Sequence, residues 1–271
     1  MKSSLIDYTL QLADTNLILA QRNSEWCGHG PILEQDIAIT NISLDLLGQS
    51  RNFYQYAATL VNASKIPADS KTPSPLEFLQ RNERSSVGGE VTEDSLAYLR
   101  TEREFKNCLL VELPNGDWAQ TILRQFFFSA YQFLLYEKLQ HSNDEQIAAI
   151  AAKALKEVTY HQRWSSEWVV RLGDGTEESH QRMLKAIDEL WRYTGEMFLP
   201  ANYEIEAGFD VSLLKDDWMK KVNLVFEEAT LPVPEKVFMQ TGGKTGTHTE
   251  HLGFILTELQ YLQRTYPNAE W

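Results

Sequence analysis

The sequence predicts an all-α helical bundle. Apolar residues recur at alternating steps of three and four along most of the chain. Strand-like alternation is scarce, and polar caps or Pro/Gly breaks separate the periodic runs at helix-length intervals. The 271 residues, 43% of them hydrophobic, are ample for a sizeable core and are read as one domain over 1–271.

The first helix is predicted over Ser4–Glu25. "CGHGP" breaks it, and Pro31 suits the first turn of a second helix reaching Ala63. The Pro-, Ser- and Gly-rich stretch that follows predicts an exposed loop insertion at 64–91. A third helix is expected over Thr92–Glu112, stopped by "LPNGD". Asp117 caps a fourth that runs to Gln140. "HSNDE" offers a capping box, Ser142 with Glu145, for a fifth ending at "RLGDG". Additional C-terminal helices are expected near Thr176–Phe198, Ser212–Glu228 and Thr247–Arg264, the last opening on Thr247 with Glu250.

Two helices carry a clean apolar seam. One is Ile39, Ile42, Leu46, Gln49, Phe53, Tyr56, Leu60; the other is Ile147, Ala151, Ala154, Val158, His161, Ser165, Trp168, Leu172. The first helix and the Asp117–Gln140 helix are apolar over wider arcs, which suits central positions.

The net charge of −13 disfavours nucleic acid and anionic membranes as partners, and an anionic substrate would need a local basic patch. No run of 18 apolar residues exists to span a bilayer. Asp7 and Asp14 break the N-terminal apolar run, making a poor signal peptide. Two cysteines, Cys27 and Cys108, with no CxxC, form no disulfide framework and fit a reducing cytoplasm.

Glu157 and His161 suggest a metal site, since carboxylate and imidazole on one helix face are metal-ligand types. Asp45 and Gln49 repeat the spacing on the second helix. Di-iron bundles place Glu-x-x-His on two helices and one Glu on each of two others. Here the histidine slots three after Asp45 and Glu157 hold Gly48 and Tyr160, and "RQFFFSAYQF" supplies no mid-helix acid. The reading favoured on the residues is an interior where Asp45, Gln49, Glu157 and His161, with Arg163, satisfy one another by hydrogen bonds. An autonomous ferritin-like di-iron oxygenase is the alternative.

Other motifs are weaker. "GGKTG" lacks the upstream glycine of a phosphate loop, where Phe238 stands. His248 and His251 in "GTHTEHLG" do not match a zinc-protease motif and are expected as a surface cluster at a helix start. A Cys27–His29 hydrolase pair has no third group beside it. Arg100, Arg103 and Lys106 would form a slanting basic row on the third helix, able to meet phosphates or to pair with Glu102 and Glu104.

"SEWCGHGPILEQDIAITNISLDLLGQSRNF", "LLVELPNGDWAQTILRQFF", "ALKEVTYHQRW" and "GTHTEHLGFILTELQYLQRTYPNAEW" resemble, in order and over nearly the whole chain, the family of non-catalytic oxygenase subunits of phenylacetyl-CoA 1,2-epoxidases. The region Ser64–Glu90 matches least. The resemblance implies a ferritin-like helical bundle and a place in the monooxygenase complex that epoxidises the aromatic ring of phenylacetyl-CoA in aerobic phenylacetate degradation. It implies no catalytic residue, no metal and no cofactor in this chain. The di-iron centre belongs to a sister subunit, and electrons come from NADPH through a reductase with FAD and an iron–sulfur cluster. A further small subunit links the assembly. Asp45, Gly48, Glu157, Tyr160 and His161 are then vestigial metal-site positions, with Asp45 and Glu157 expected to find internal partners. Trp26, Phe53, Tyr56 and Trp118 are candidate interface anchors. Arg103, Lys106 and Asn107, with Glu34 as a polar neighbour, are candidate contacts to the CoA portion.

Overall fold

The computed structural model describes residues 2–64, 90–266 and 269. The exposed-loop expectation at 64–91 falls almost wholly outside them. Among the described residues the regular structure is entirely helical. Helices α1 (Lys2–Ser24) and α2 (Leu33–Ala63) form one long hairpin, and two later helices, α5 (Trp118–Leu139) and α6 (Glu145–Gly173), form a second. The hairpins pack into the four-helix core of a ferritin-like bundle, with α2 against α6. Residues 121–132 of α5 are all buried, and α1 is buried from Tyr8 to Ala20, matching their wide apolar arcs. The seams of α2 and α6 point inward, half-exposed only at Tyr56, Leu60, Trp168 and Leu172.

Local chemistry sets the helix starts. The Asp117 carboxylate accepts the Gln120 N–H at 3.0 Å. For α6 the cap is Asp144, accepting Ile147 N–H at 2.9 Å, not the expected Ser142. Ser142 instead accepts the Asp144 N–H, folding the turn that delivers the cap. Helix α2 begins at Leu33 without a side-chain cap. The Asp36 carboxylate reaches back to Gly30 N–H at 2.9 Å and closes the turn. A side chain at Gly30 would meet Asp36 at 2.8 Å.

The expected third helix is broken. It comprises α3 (Glu93–Tyr98), a 3₁₀ turn at Glu102–Glu104, extended residues 105–108 and a short α4 (Leu109–Glu112). Burial of Arg100 explains the break. Its guanidinium, 2% exposed, pairs with Asp14, and the same carboxylate accepts the Lys106 N–H at 2.8 Å. The chain is drawn onto α1 instead of continuing as a helix. No helical basic row exists.

Beyond α6 follow α7 (Glu177–Leu190), two 3₁₀ turns, α8 (Asn202–Glu206), α9 (Lys215–Glu228), α10 (Glu250–Leu259) and α11 (Tyr261–Thr265). Residues 240–250 wrap as a strap held by buried acids. Glu196 accepts the N–H groups of Leu109 at 2.6 Å and Gly242 at 2.7 Å. Lys244, in the segment that imitates a phosphate loop, is 4% exposed and pairs with Glu204 at 3.1 Å. The cap of α10 is Thr249, two residues later than expected. His248 is not on the surface. Its imidazole is buried, with Nδ1 on Glu112 at 2.9 Å and Nε2 on the Phe105 carbonyl at 2.9 Å.

Candidate functional site

Each core helix sends at least one polar side chain to the middle of the bundle: Asn16 from α1, Gln49 from α2, Gln132 and Tyr136 from α5 and Glu157 from α6. Gln132 Nε2 donates to Asn16 Oδ1 at 2.7 Å and to Gln49 Oε1 at 3.0 Å. Asn16 Nδ2 donates to the Tyr136 hydroxyl at 3.0 Å, and Gln49 Nε2 to Glu157 Oε2 at 2.8 Å. Asn16, Gln49, Gln132 and Tyr136 are buried, while Glu157 is half-buried. Burial is the main force raising the Tyr136 pKa, so the phenol stays protonated. The network is built of neutral dipoles with one carboxylate at its edge, and the Gln132 Oε1 is buried without a partner among the described residues.

Polar groups converging from four helices are the layout of a di-iron bundle. The register differs from the one expected. The inward residue of α2 is Gln49, followed three later by Asn52, not Asp45 followed by Gly48. On α6 it is Glu157, followed by Tyr160. Gly48 and Tyr160 are exposed, since each lies on the outer side of its helix. The donor set therefore offers one carboxylate, three carboxamides and a phenol. An iron pair takes anionic oxygens and imidazoles, and amide N–H protons now occupy the space between the helices. These residues do not fit a di-iron centre. Among the described residues no group of three or more His, Cys, Asp or Glu side chains converges as metal ligands.

Asp45 and His161 form a separate pair beside this network. His161 Nε2 lies 3.0 Å from Asp45 Oδ2, with the imidazole fully buried and the carboxylate 37% exposed. Both expected carboxylate partners are thus present: His161 for Asp45, Gln49 for Glu157. Arg163 takes no part; it is exposed, 6.0 Å from the Tyr160 ring centre. Outside the pair, a notch of about 300 Å³ is lined by Asp45, Gly48, Gln49, Lys153 and Glu157 among others.

An exposed aliphatic stripe runs along α2 to the notch. Leu33, Ile37, Leu44 and Leu47 on α2 are 46–73% exposed, as is Ile32 just before the helix at 53% and, less so, Tyr160 on α6 at 39%. Leu33, Ile37, Asn41, Leu44 and Gly48 follow helical steps of four and three, so they form one stripe. Exposed aliphatic residues aligned on one helix face are uncommon on a monomer surface. The aromatic anchors expected from sequence lie elsewhere. Phe53 is fully buried, Tyr56 is tied to Asp144 at 2.5 Å, and Trp26 stacks edge-on to Trp118, their ring centres 5.1 Å apart. Trp26, Tyr56 and Trp118 stay half-exposed, and the α2 stripe is aliphatic.

The proposed CoA contacts do not come together. Glu34 is exposed in the first turn of α2, beyond the C-terminal end of α1. Lys106 meets Asp7 near the other end of α1, 3.5 Å away, so the two are separated by roughly 25 Å of helix. Asn107 is fully buried and donates to Glu112 at 2.8 Å. Arg103 is exposed. Cys27 and His29 are exposed in the α1–α2 turn.

Sequence reasoning missed Asn16, Gln132 and Tyr136. Their signal was present: Gln132 and Tyr136, four apart, are polar groups in an otherwise apolar helix.

Residues 1–271 match the family model described as phenylacetic acid catabolic protein. The chain is also 46% identical over 274 residues to a subunit of the 1,2-phenylacetyl-CoA epoxidase of Escherichia coli (strain K12), covering 99% of this chain and 100% of that relative. Matching over its whole length, the chain belongs to the phenylacetic acid catabolic protein family.

Proposed function

We propose that this chain is a metal-free structural subunit of the multicomponent oxygenase that epoxidises the aromatic ring of phenylacetyl-CoA. The observation that carries this reading is the amide-lined bundle centre, where Asn16, Gln49 and Gln132 take places that a di-iron bundle gives to acids. The similarity to a subunit of an epoxidase supports the same reading. A sister subunit of the same fold holds the iron and activates oxygen. NADPH, FAD and an iron–sulfur cluster serve it through a separate reductase, and a small subunit links the assembly. The aliphatic stripe of α2 is the face that receives the sister subunit. Arg103 and Lys106 remain the residues that reach toward the CoA portion.

Co-purification and iron counting per chain, after co-expression with the neighbouring oxygenase subunit, test the reading. Iron should follow the sister subunit, and Leu44→Arg should release this chain from the complex. Two iron atoms on this chain alone would instead make it an autonomous di-iron oxygenase. Unchanged substrate affinity of the complex with Arg103→Ala and Lys106→Ala would remove the CoA assignment.

A further inference from the structure

The α2 stripe has a hole in it. A side chain built at Gly48 would meet no heavy atom within 4 Å. The missing side chain opens the 300 Å³ notch, whose lining includes the acids Asp45 from α2 and Glu157 from α6 and the bases Arg51 and Lys153. Asp45 is engaged by the His161 imidazole and Glu157 by the Gln49 amide. A carboxylate has about four acceptor sites, so both have capacity to spare. No described lysine or arginine comes within 4.0 Å of either. Arg51, on the rim, reaches toward Glu93 at 3.6 Å instead. Lys153 precedes Glu157 by four residues, the weaker helical order for an ion pair.

Covering this stripe with another protein would strip water from both carboxylates. Buried charge without a cation is strongly disfavoured. We infer that the notch over Gly48 is a socket for one lysine or arginine of the sister subunit, with Asp45 and Glu157 as its anionic walls. The inference rests on the reading of α2 as the sister-facing helix. The occupant is an amphipathic helix whose aliphatic residues cover Leu44 and Leu47. Its single basic side chain lays an apolar stem across Gly48 and places its charged head between the two acids. Apolar contact supplies area, and the socket sets the register of one helix on the other.

The test measures affinity between the purified chain and the co-expressed sister subunit at low and high salt. Gly48→Leu fills the socket, and Asp45→Asn with Glu157→Gln removes its charge while keeping its shape. Each should weaken binding at least about tenfold, and the charge variant should also flatten the salt dependence. Melting curves of the free variants confirm folding, which the open space at Gly48 and the isosteric amides favour. Leu44→Ser with Leu47→Ser tests the face itself. If that variant weakens binding while the socket variants bind like the parent, the socket is wrong and the docking face stands. If none weakens binding, the docking face fails and the socket with it. Stoichiometric divalent metal on the free chain, lost in Glu157→Gln, would make the notch a metal site and overturn the inference. So would a dimer of this chain alone that Gly48→Leu dissociates.

Discussion

Gln49 on α2 donates its amide to Glu157 on α6 at 2.8 Å, joining the one carboxylate at the bundle centre to a network of neutral groups. The same Gln49 accepts from Gln132 with its oxygen at 3.0 Å, so one side chain orients both hairpins. The Gln132 Oε1 is left buried without a partner among the described residues, so the register rests on the bonds that Gln132 Nε2 and Gln49 make.

Gln132→Leu tests that dependence. The substitution removes the donor serving Asn16 Oδ1 and Gln49 Oε1 in a site that excludes water. It should lower unfolding stability by about 1–3 kcal/mol in urea titration, the cost of leaving Asn16 Oδ1 buried without its donor, while Gln49 Oε1 keeps the Tyr136 hydroxyl at 3.3 Å. Gln132→Glu should cost more, because it buries a second carboxylate near Glu157 with no cation to offset it.

The pair of Asp14 with Arg100 makes a second prediction. Both side chains are almost fully buried, and Tyr54 and the Lys106 N–H complete the acceptor shell of Asp14. Asp14→Ala leaves the guanidinium buried without its anion. The expected loss is about 3–5 kcal/mol, read from denaturant midpoints. Replacing both residues with apolar ones of similar volume should cost less than the single change. The segment at residues 99–108 should loosen first, visible as faster hydrogen exchange there than in α5.

These two pairs mark where the sequence could be read and where it could not. The long helices were legible because each presents an apolar arc at a period near 3.6 over many turns. The third segment was not. Arg100, Arg103 and Lys106 have helical spacing, but Arg100 turns inward to an aspartate on α1, a contact between distant parts of the chain. At the bundle centre Gln49 stood on its seam and Glu157 on a margin. Asn16 and Gln132 escaped notice because a carboxamide in an apolar helix resembles neither ligand nor acid. Asp45 drew attention by its charge, although its position four residues before Gln49 puts it at the notch beside the network.

Gly48→Ala should stabilise the isolated chain. Gly48 is exposed in the middle of α2, and an added methyl meets no neighbour. Alanine in place of a helical glycine contributes about 0.5–1 kcal/mol by restricting the unfolded chain. Thermal unfolding of parent and variant would show it as a higher midpoint. A lower midpoint would mean that the helix is strained at this position.

The strap over α4 gives the chain a pH dependence with a defined sign. His248 is buried, and burial, the largest effect, disfavours its charged form. The hydrogen bond and charge of Glu112, the Phe105 carbonyl and the charge of Asp14 outweigh that effect and raise its pKa above the usual imidazole value. Both ring nitrogens face acceptors, as an imidazolium requires. In the unfolded chain the group titrates near about 6.5. Below that pH it is protonated in both states, and its contribution to stability is complete. As pH rises through the higher native pKa, the folded state loses the proton and the contribution disappears. Urea midpoints should therefore fall between pH 6 and a pH above the native value. His248→Gln, which keeps a hydrogen bond to Glu112 without the titration, should flatten that slope. An unchanged slope in the variant would assign the pH dependence to other groups.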